Sequence, residues 1–224
     1  MKEFKKAVYL WKQAPVNHTI ILANILAFLM VEITGSWENT DHMLRCGAAG
    51  TLDIWENHEY YRLFTAMFLH FGLQHLGNNM LVLLFIGDCL ERNLGKIRYG
   101  LVYILGGAGA NLISVFQEIH THVYVVSAGA SGGVFAAIGG LLYIVIRNKG
   151  HIENFTSRQL FILAFLSLYH GMASKGVNNT AHLGGLILGF VLAFLLCPGG
   201  PRKKLSGDRK RYNKSCLFPG RSNK

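Results

Sequence analysis

Apolar residues in this chain gather into blocks instead of alternating or recurring on one helical face. Six stretches are predominantly apolar: Val16–Thr34, Gly72–Leu90, Tyr99–Phe116, Ser131–Ile146, Leu160–Met172 and Ala181–Cys197. A hydrocarbon core of ~30 Å takes about 20 helical residues to cross. The blocks therefore predict an all-α membrane protein with six transmembrane helices over residues 16–197, flanked by an N-terminal segment (1–15) and a basic tail (198–224). The fifth block is the shortest and runs into a polar stretch. Glycine and other small residues crowd the last four blocks, as they do where helices approach closely in lipid.

Composition agrees. Hydrophobic residues make up 51% of the 224 positions and charged residues 15%, well under the roughly one quarter of a soluble domain. The formal charge of +10 would suit nucleic acid if it formed one patch, but it falls beside the apolar blocks. Lys2, Lys5, Lys6 and Lys12 precede the first block. Arg92, Lys96 and Arg98 follow the second, Arg147, Lys149 and Arg158 the fourth, and Arg202 to Lys214 the sixth. With six spans all four clusters share one side, which the distribution of Lys and Arg marks as cytoplasmic. Both termini are then cytoplasmic, the plasma membrane is the expected location, and no nucleic-acid partner is expected. The first block lacks a small-residue cleavage site and reads as a retained span. Cys46, Cys89, Cys197 and Cys216 are too scattered for a disulfide framework or a zinc site.

Polar groups inside spans are costly and mark cavities or partners. The second span opens with His70, His75, Asn78 and Asn79, the fourth with Gly129-Ala-Ser131-Gly132, the sixth with Asn178-Asn179-Thr180-Ala181-His182. Counted from the cytoplasmic ends, His75, Ser131 and His182 each stand roughly 24 Å up a helix rising ~1.5 Å per residue, in one layer below the far surface. Asn79 lies one turn deeper than His75 on the same face, which favours it over Asn78. A serine becomes nucleophilic when a base takes its proton, and histidine is the usual base. Ser131 follows a glycine turn and begins a helix, so its backbone N–H is free to point at an oxyanion; His75 and Asn79 can add donors. Gly132, Ala136 and Gly140 on one helix and Gly185 and Gly189 on another can pack closely and bring Ser131 to His182. No carboxylate lies near that layer in these spans, so the reading is a Ser–His dyad.

These motifs resemble the rhomboid family of intramembrane serine proteases. Gly129-Ala-Ser131-Gly132 resembles its G-x-S-G nucleophile motif, His75-x-x-x-Asn79 its oxyanion motif, and Ala181-His182-x-x-Gly185-x-x-x-Gly189 its base-bearing helix; Glu91-x-x-x-Gly95 is also familiar. Tyr61-Arg62 departs from the Trp-Arg often found in the family. The resemblance implies a six-helix bundle, a water-filled cavity open to the non-cytoplasmic side, and a first loop lying partly in the outer leaflet. It further implies single-pass transmembrane proteins as substrates, within the lipid bilayer.

Other classes fit less well. There is no H-E-x-x-H for a metalloprotease and no phosphate-binding Gly-Lys loop, so neither a metal nor another cofactor is expected. His120 and His122 beside Glu118 read as exposed side chains that bind no metal, and His70 as a loop or supporting residue. A transporter would show paired half-repeats and more intramembrane carboxylates. A catalytically inactive relative that binds membrane clients is the alternative; it would be expected to lack Ser131 or His182, and both are present.

Overall fold

The computed structural model describes residues 13–173 and 176–197. The basic tail, most of the N-terminal segment and Lys175 lie outside the described residues. The first long helix, α1 (Pro15–Thr34), starts on a proline whose fixed φ suits a first turn. Its unpaired N-terminal N–H groups find an anion: Val16 N–H and Asn17 N–H donate to the two oxygens of the buried Glu91 carboxyl (3.2 and 2.7 Å). This gives the Glu91-x-x-x-Gly95 motif a physical role. Gly95 then adopts φ +94°, which a glycine tolerates, and ends the helix that carries Glu91.

The loop after α1 carries short helices: α2 (Thr40–Arg45), α3 (Thr51–Trp55) and α4 (Arg62–Thr65), with strand β1 (Ala49–Gly50) between the first two. Arg62 is buried and donates through Nη1 to the Leu44 and Ala48 carbonyls. Its Nε donates to Glu59, and that bond, with a second from the Tyr61 hydroxyl, holds the Glu59 carboxyl below its ordinary range. The arginine of Tyr61-Arg62 thus stitches the loop together.

The second apolar block begins as α5 (Leu73–Val82), passes through a π-helical turn at Leu83–Gly87 and continues as α6 (Asp88–Leu94). At the wide turn the Asn17 side chain donates to the Leu83 carbonyl (2.8 Å) and to Asp88 (2.6 Å). Helix α7 (Lys96–Thr121) follows, then β2 (Val126–Ser127), α8 (Ser131–Arg147), a hairpin of β3 (His151–Ile152) and β4 (Phe155–Thr156), α9 (Ser157–Ala173) and α10 (Asn179–Leu196). Strand β2 pairs antiparallel with β1, Ala49 opposite Ser127 and Gly50 opposite Val126. Helices α1, α7 and α10 are long and apolar enough to cross a membrane, and α8 is a shorter apolar helix. Helix α7 is longer than its sequence block at both ends, because the basic first turn and the Glu118 turn remain helical.

Helix α8 is buried on every side from Gly132 to Val145, which accounts for an apolar sequence with no polar face. It packs mainly against α7 and α10. The contact with α10 is made by backbone. A Cβ on Gly185 would land on the Gly132 carbonyl, one on Gly189 on the Ala136 carbonyl, and one on Gly139 on the Leu186 carbonyl. On the α7 side, Gly106 faces Ala136 and Gly107 faces the Gly133 nitrogen. Bulky outward residues such as Ile187, Phe194 and Leu195 remain exposed on α10, as on a helix that meets lipid.

The crossing makes a contrast between two helical glycines. Gly189→Val should prevent the approach of α10 to α8, and overpacking of this kind costs about 1–3 kcal/mol or more. Gly77 has no atom within 4 Å of a built Cβ, so Gly77→Ala should hold or raise Tm through helix propensity, worth up to ~1 kcal/mol. Thermal unfolding in detergent checks both; an unaffected Gly189→Val protein would refute the backbone crossing.

Candidate active site

Ser131 is the first residue of α8. Its N–H has no helical carbonyl one turn back to bind. The turn before it is fixed from below: Gly129 N–H donates to the Ala66 carbonyl (2.9 Å) and Ala130 N–H to His70 Nε2 (3.3 Å). Gly129 has φ +156°, and a Cβ there would lie 2.6 Å from His75 Cε1, 2.9 Å from His75 Nε2 and 3.7 Å from Ser131 Oγ. Glycine at this position therefore lets the imidazole of His75 lie against the turn that leads to the hydroxyl of Ser131.

His182 sits in the first turn of α10. Asn178 caps that helix, its side-chain oxygen accepting Ala181 N–H (3.0 Å) and its carbonyl accepting His182 N–H (3.1 Å). The His182 ring lies flat on Phe135, with centroids 4.4 Å apart and planes 12° from parallel. Phe135 is one turn along α8 from Ser131, and the Gly132–Gly185 contact lies beside both. The crossing thus brings the serine end of α8 and the histidine end of α10 to one level. No hydrogen bond joins Ser131 Oγ to the His182 ring among the described residues; such bonds are often long before substrate arrives. His182 Nδ1 is buried and has no hydrogen-bond partner there, so no carboxylate orients the ring.

Asn79 is buried and Asn78 exposed, the register that four-residue spacing from His75 predicts. The Asn79 amide nitrogen is 3.1 Å from His70 Nε2. Because that nitrogen also accepts Ala130 N–H, Asn79 is the donor. His70 is 1% exposed and stands edge-on to His75, centroids 5.0 Å apart. His70, in the sequence a loop or supporting residue, is the link between the helix of His75 and Asn79 and the serine turn. The signal in the sequence was its place two residues before Gly72, which takes φ +102° at the start of α5. His75 itself is half-buried.

Of the remaining sequence candidates, His120 and His122 end α7 exposed, His122 in the left-handed cap. Among the described residues no group of three or more His, Cys, Asp or Glu side chains is placed to hold a metal ion. Glu118 is not beside them on the surface but buried inward.

Residues 57–199 match the rhomboid domain. The chain belongs to the rhomboid family. It is similar to the rhomboid protease GluP of Bacillus subtilis, 31% identical over 93% of this chain and 39% of the relative. It is also similar to RHOMBOID-like protein 4 of Arabidopsis thaliana, 40% identical over 62% of the chain and 34% of the relative. A third similar protein is the putative rhomboid protease YdcA of Bacillus subtilis, 34% identical over 62% of the chain and 68% of the relative. The chain spans well under half of the first two. Its rhomboid domain and apolar helices make it an integral membrane protein.

The position of His70 gives a direct test. His70→Ala would strand the Ala130 N–H and the Asn79 amide, and each unpaired buried group costs about 1–3 kcal/mol. The variant should unfold at a lower Tm and expose the Ala66–Ser131 region to limited proteolysis. Wild-type Tm and protection would show that the links carry no weight.

Proposed function

We propose that the chain is an intramembrane serine protease that cleaves peptide bonds in or near transmembrane segments of other membrane proteins. The observation that carries this reading is the α8–α10 crossing, where Gly185 meets the Gly132 carbonyl and sets Ser131 and the Phe135-stacked His182 at one level. Ser131 Oγ attacks the carbonyl carbon while His182 takes its proton. The C–N bond then breaks as His182 returns that proton to the leaving amine. Water, deprotonated by His182, releases the acyl group and regenerates the serine. The unpartnered Nδ1 supports a dyad, with His182 held by stacking and not by an acid.

The tetrahedral oxyanion would form in the space beside Gly129. Ser131 N–H and the His75 ring are its natural donors. Asn79 has a second amide hydrogen besides the one directed at His70, and it contributes from one turn deeper. Gly129, Gly132, Gly185 and Gly189 are structural: Gly129 leaves room for the His75 ring, Gly132 lets α8 meet α7, and Gly185 and Gly189 allow the crossing of α8 and α10.

Six spans complete the reading: α1, α5 with α6, α7, α8, α9 and α10. The basic clusters support cytoplasmic termini and a site open to the opposite side, in a protein of the plasma membrane. Single-pass proteins would enter sideways from the bilayer and be cut near their non-cytoplasmic ends, where glycine or proline lowers the cost of unwinding a helix.

Purified Ser131→Ala and His182→Ala proteins should keep wild-type Tm yet cleave no reconstituted transmembrane substrate. A fluorophosphonate should label wild type at Ser131 alone. Ordinary turnover by either variant rules out the dyad.

Asn79→Ala should still be labelled and should lose about 10²–10³-fold in kcat, the usual cost of one oxyanion donor, with KM little changed. Asn78→Ala should be milder. The reverse order would assign the oxyanion role to the wrong asparagine.

A further inference from the structure

The mechanism above makes no use of Glu118, a carboxyl 5% exposed in the last turns of α7. Among the described residues it has no ion-pair partner. Neutral donors surround it instead. Oε1 accepts from Ser114 Oγ (2.8 Å) and Asn178 Nδ2 (3.5 Å), and Oε2 from Thr51 Oγ1 and Val125 N–H (3.3 Å). Four donors fill the roughly four lone-pair directions of a carboxylate.

The donors come from four separate segments. Thr51 starts α3, directly after strand β1. Val125 directly precedes β2, the strand that leads to Ser131. Ser114 lies one turn back on α7. Asn178 is the cap of α10, and its carbonyl receives His182 N–H. Asn178 Nδ2 also donates to Ser114 Oγ and to Ser127 Oγ (3.2 Å), so the histidine helix is tied to the serine strand itself. The β1–β2 pairing closes the loop between Thr51 and Ser127. The backbone crossing fixes how closely α8 and α10 approach; this cluster fixes where their reacting ends lie.

We propose that Glu118 is a positioning residue for the Ser131–His182 chemistry. Its carboxyl holds the first loop, the serine strand and the cap of the histidine helix in one register. The proposal rests on the protease reading above. It predicts a loss in the chemical step and not in binding, because Glu118 acts through Asn178 and β2 and touches no substrate. A small cavity already lies against the carboxyl, lined by Thr51, Asn111, Ser114 and Ser127 among others, so truncation would enlarge a void without letting the walls close.

The test is the kinetics of fluorophosphonate labelling of the full chain in detergent, resolved into the maximal rate kinact and the half-saturating concentration KI. Glu118→Ala should lower kinact about 10–100-fold, in line with the ~10²-fold cost of misplacing a reacting group by ~1 Å, with KI unchanged. Glu118→Gln keeps one acceptor oxygen and presents an NH₂ that a serine or threonine hydroxyl can accept, so it should recover most of kinact. Adding Asn178→Ala to Glu118→Ala should cost little more, because both act through one link. Wild-type kinact in Glu118→Ala overturns the proposal. So does a loss in Glu118→Ala that only tracks the folded fraction, or one that Glu118→Gln does not relieve. If Glu118→Ala does not fold, Ser127→Ala replaces it: it removes one tie, and an unchanged kinact at wild-type Tm overturns the proposal. Wild-type protein that is not labelled at Ser131 would instead defeat the protease reading.

Discussion

Two helices touching backbone to backbone set the geometry of this molecule. In lipid there is little hydrophobic gain in bringing one apolar helix against another, and packing of small residues takes over. Gly139, Gly185 and Gly189 remove side chains where carbonyls of α8 and α10 fill the space, and Gly132 does the same toward Ala110 and Gly107 of α7. The nearness of Ser131 and His182 follows from that approach. Ser131 precedes the first contact on one helix, and His182 precedes it by one turn on the other. The same small-residue packing toward α7 buries α8 on all sides and makes it the axis of the bundle.

Close packing alone does not orient polar ends, and hydrogen bonds do that work. Glu91 receives the N-terminal N–H groups of α1, and Asn17 reaches the π-helical turn between α5 and α6. At the opposite end His70 ties the serine turn to Asn79, and Asn178 ties the histidine helix to β2. Buried polar groups left without partners are expensive. These links therefore hold the loops in register as firmly as packing holds the helices.

The sequence was most readable where one helix carries its own signal. Ser131 does head its helix, His182 lies in the first turn of another, and Asn79 turns inward while Asn78 does not. Apolar blocks and four-residue spacing suffice for such statements. The first loop was not readable, because α2, α3 and α4 are too short to show a period and are held by Arg62 reaching carbonyls far along the chain. The two-residue strands β1 and β2 exist through each other and leave no local trace. His70 and Glu118 were seen as residues but not as hubs, since their partners come from segments distant in sequence. Gly139 escaped the four-residue stripe of Gly132, Ala136 and Gly140, yet it meets the Leu186 carbonyl.

The central claim is that the crossing of α8 and α10 creates one reacting space, bounded by Ser131, His75 and His182. An experimental structure of the fluorophosphonate adduct tests this most directly. The account predicts phosphorus bonded to Ser131 Oγ, its phosphoryl oxygen directed at the His75 ring and the Ser131 N–H beside Gly129, and His182 still stacked on Phe135 within hydrogen-bond reach of the adduct. Phosphorus on another residue, or a phosphoryl oxygen turned away from His75 with His182 out of reach, would contradict it.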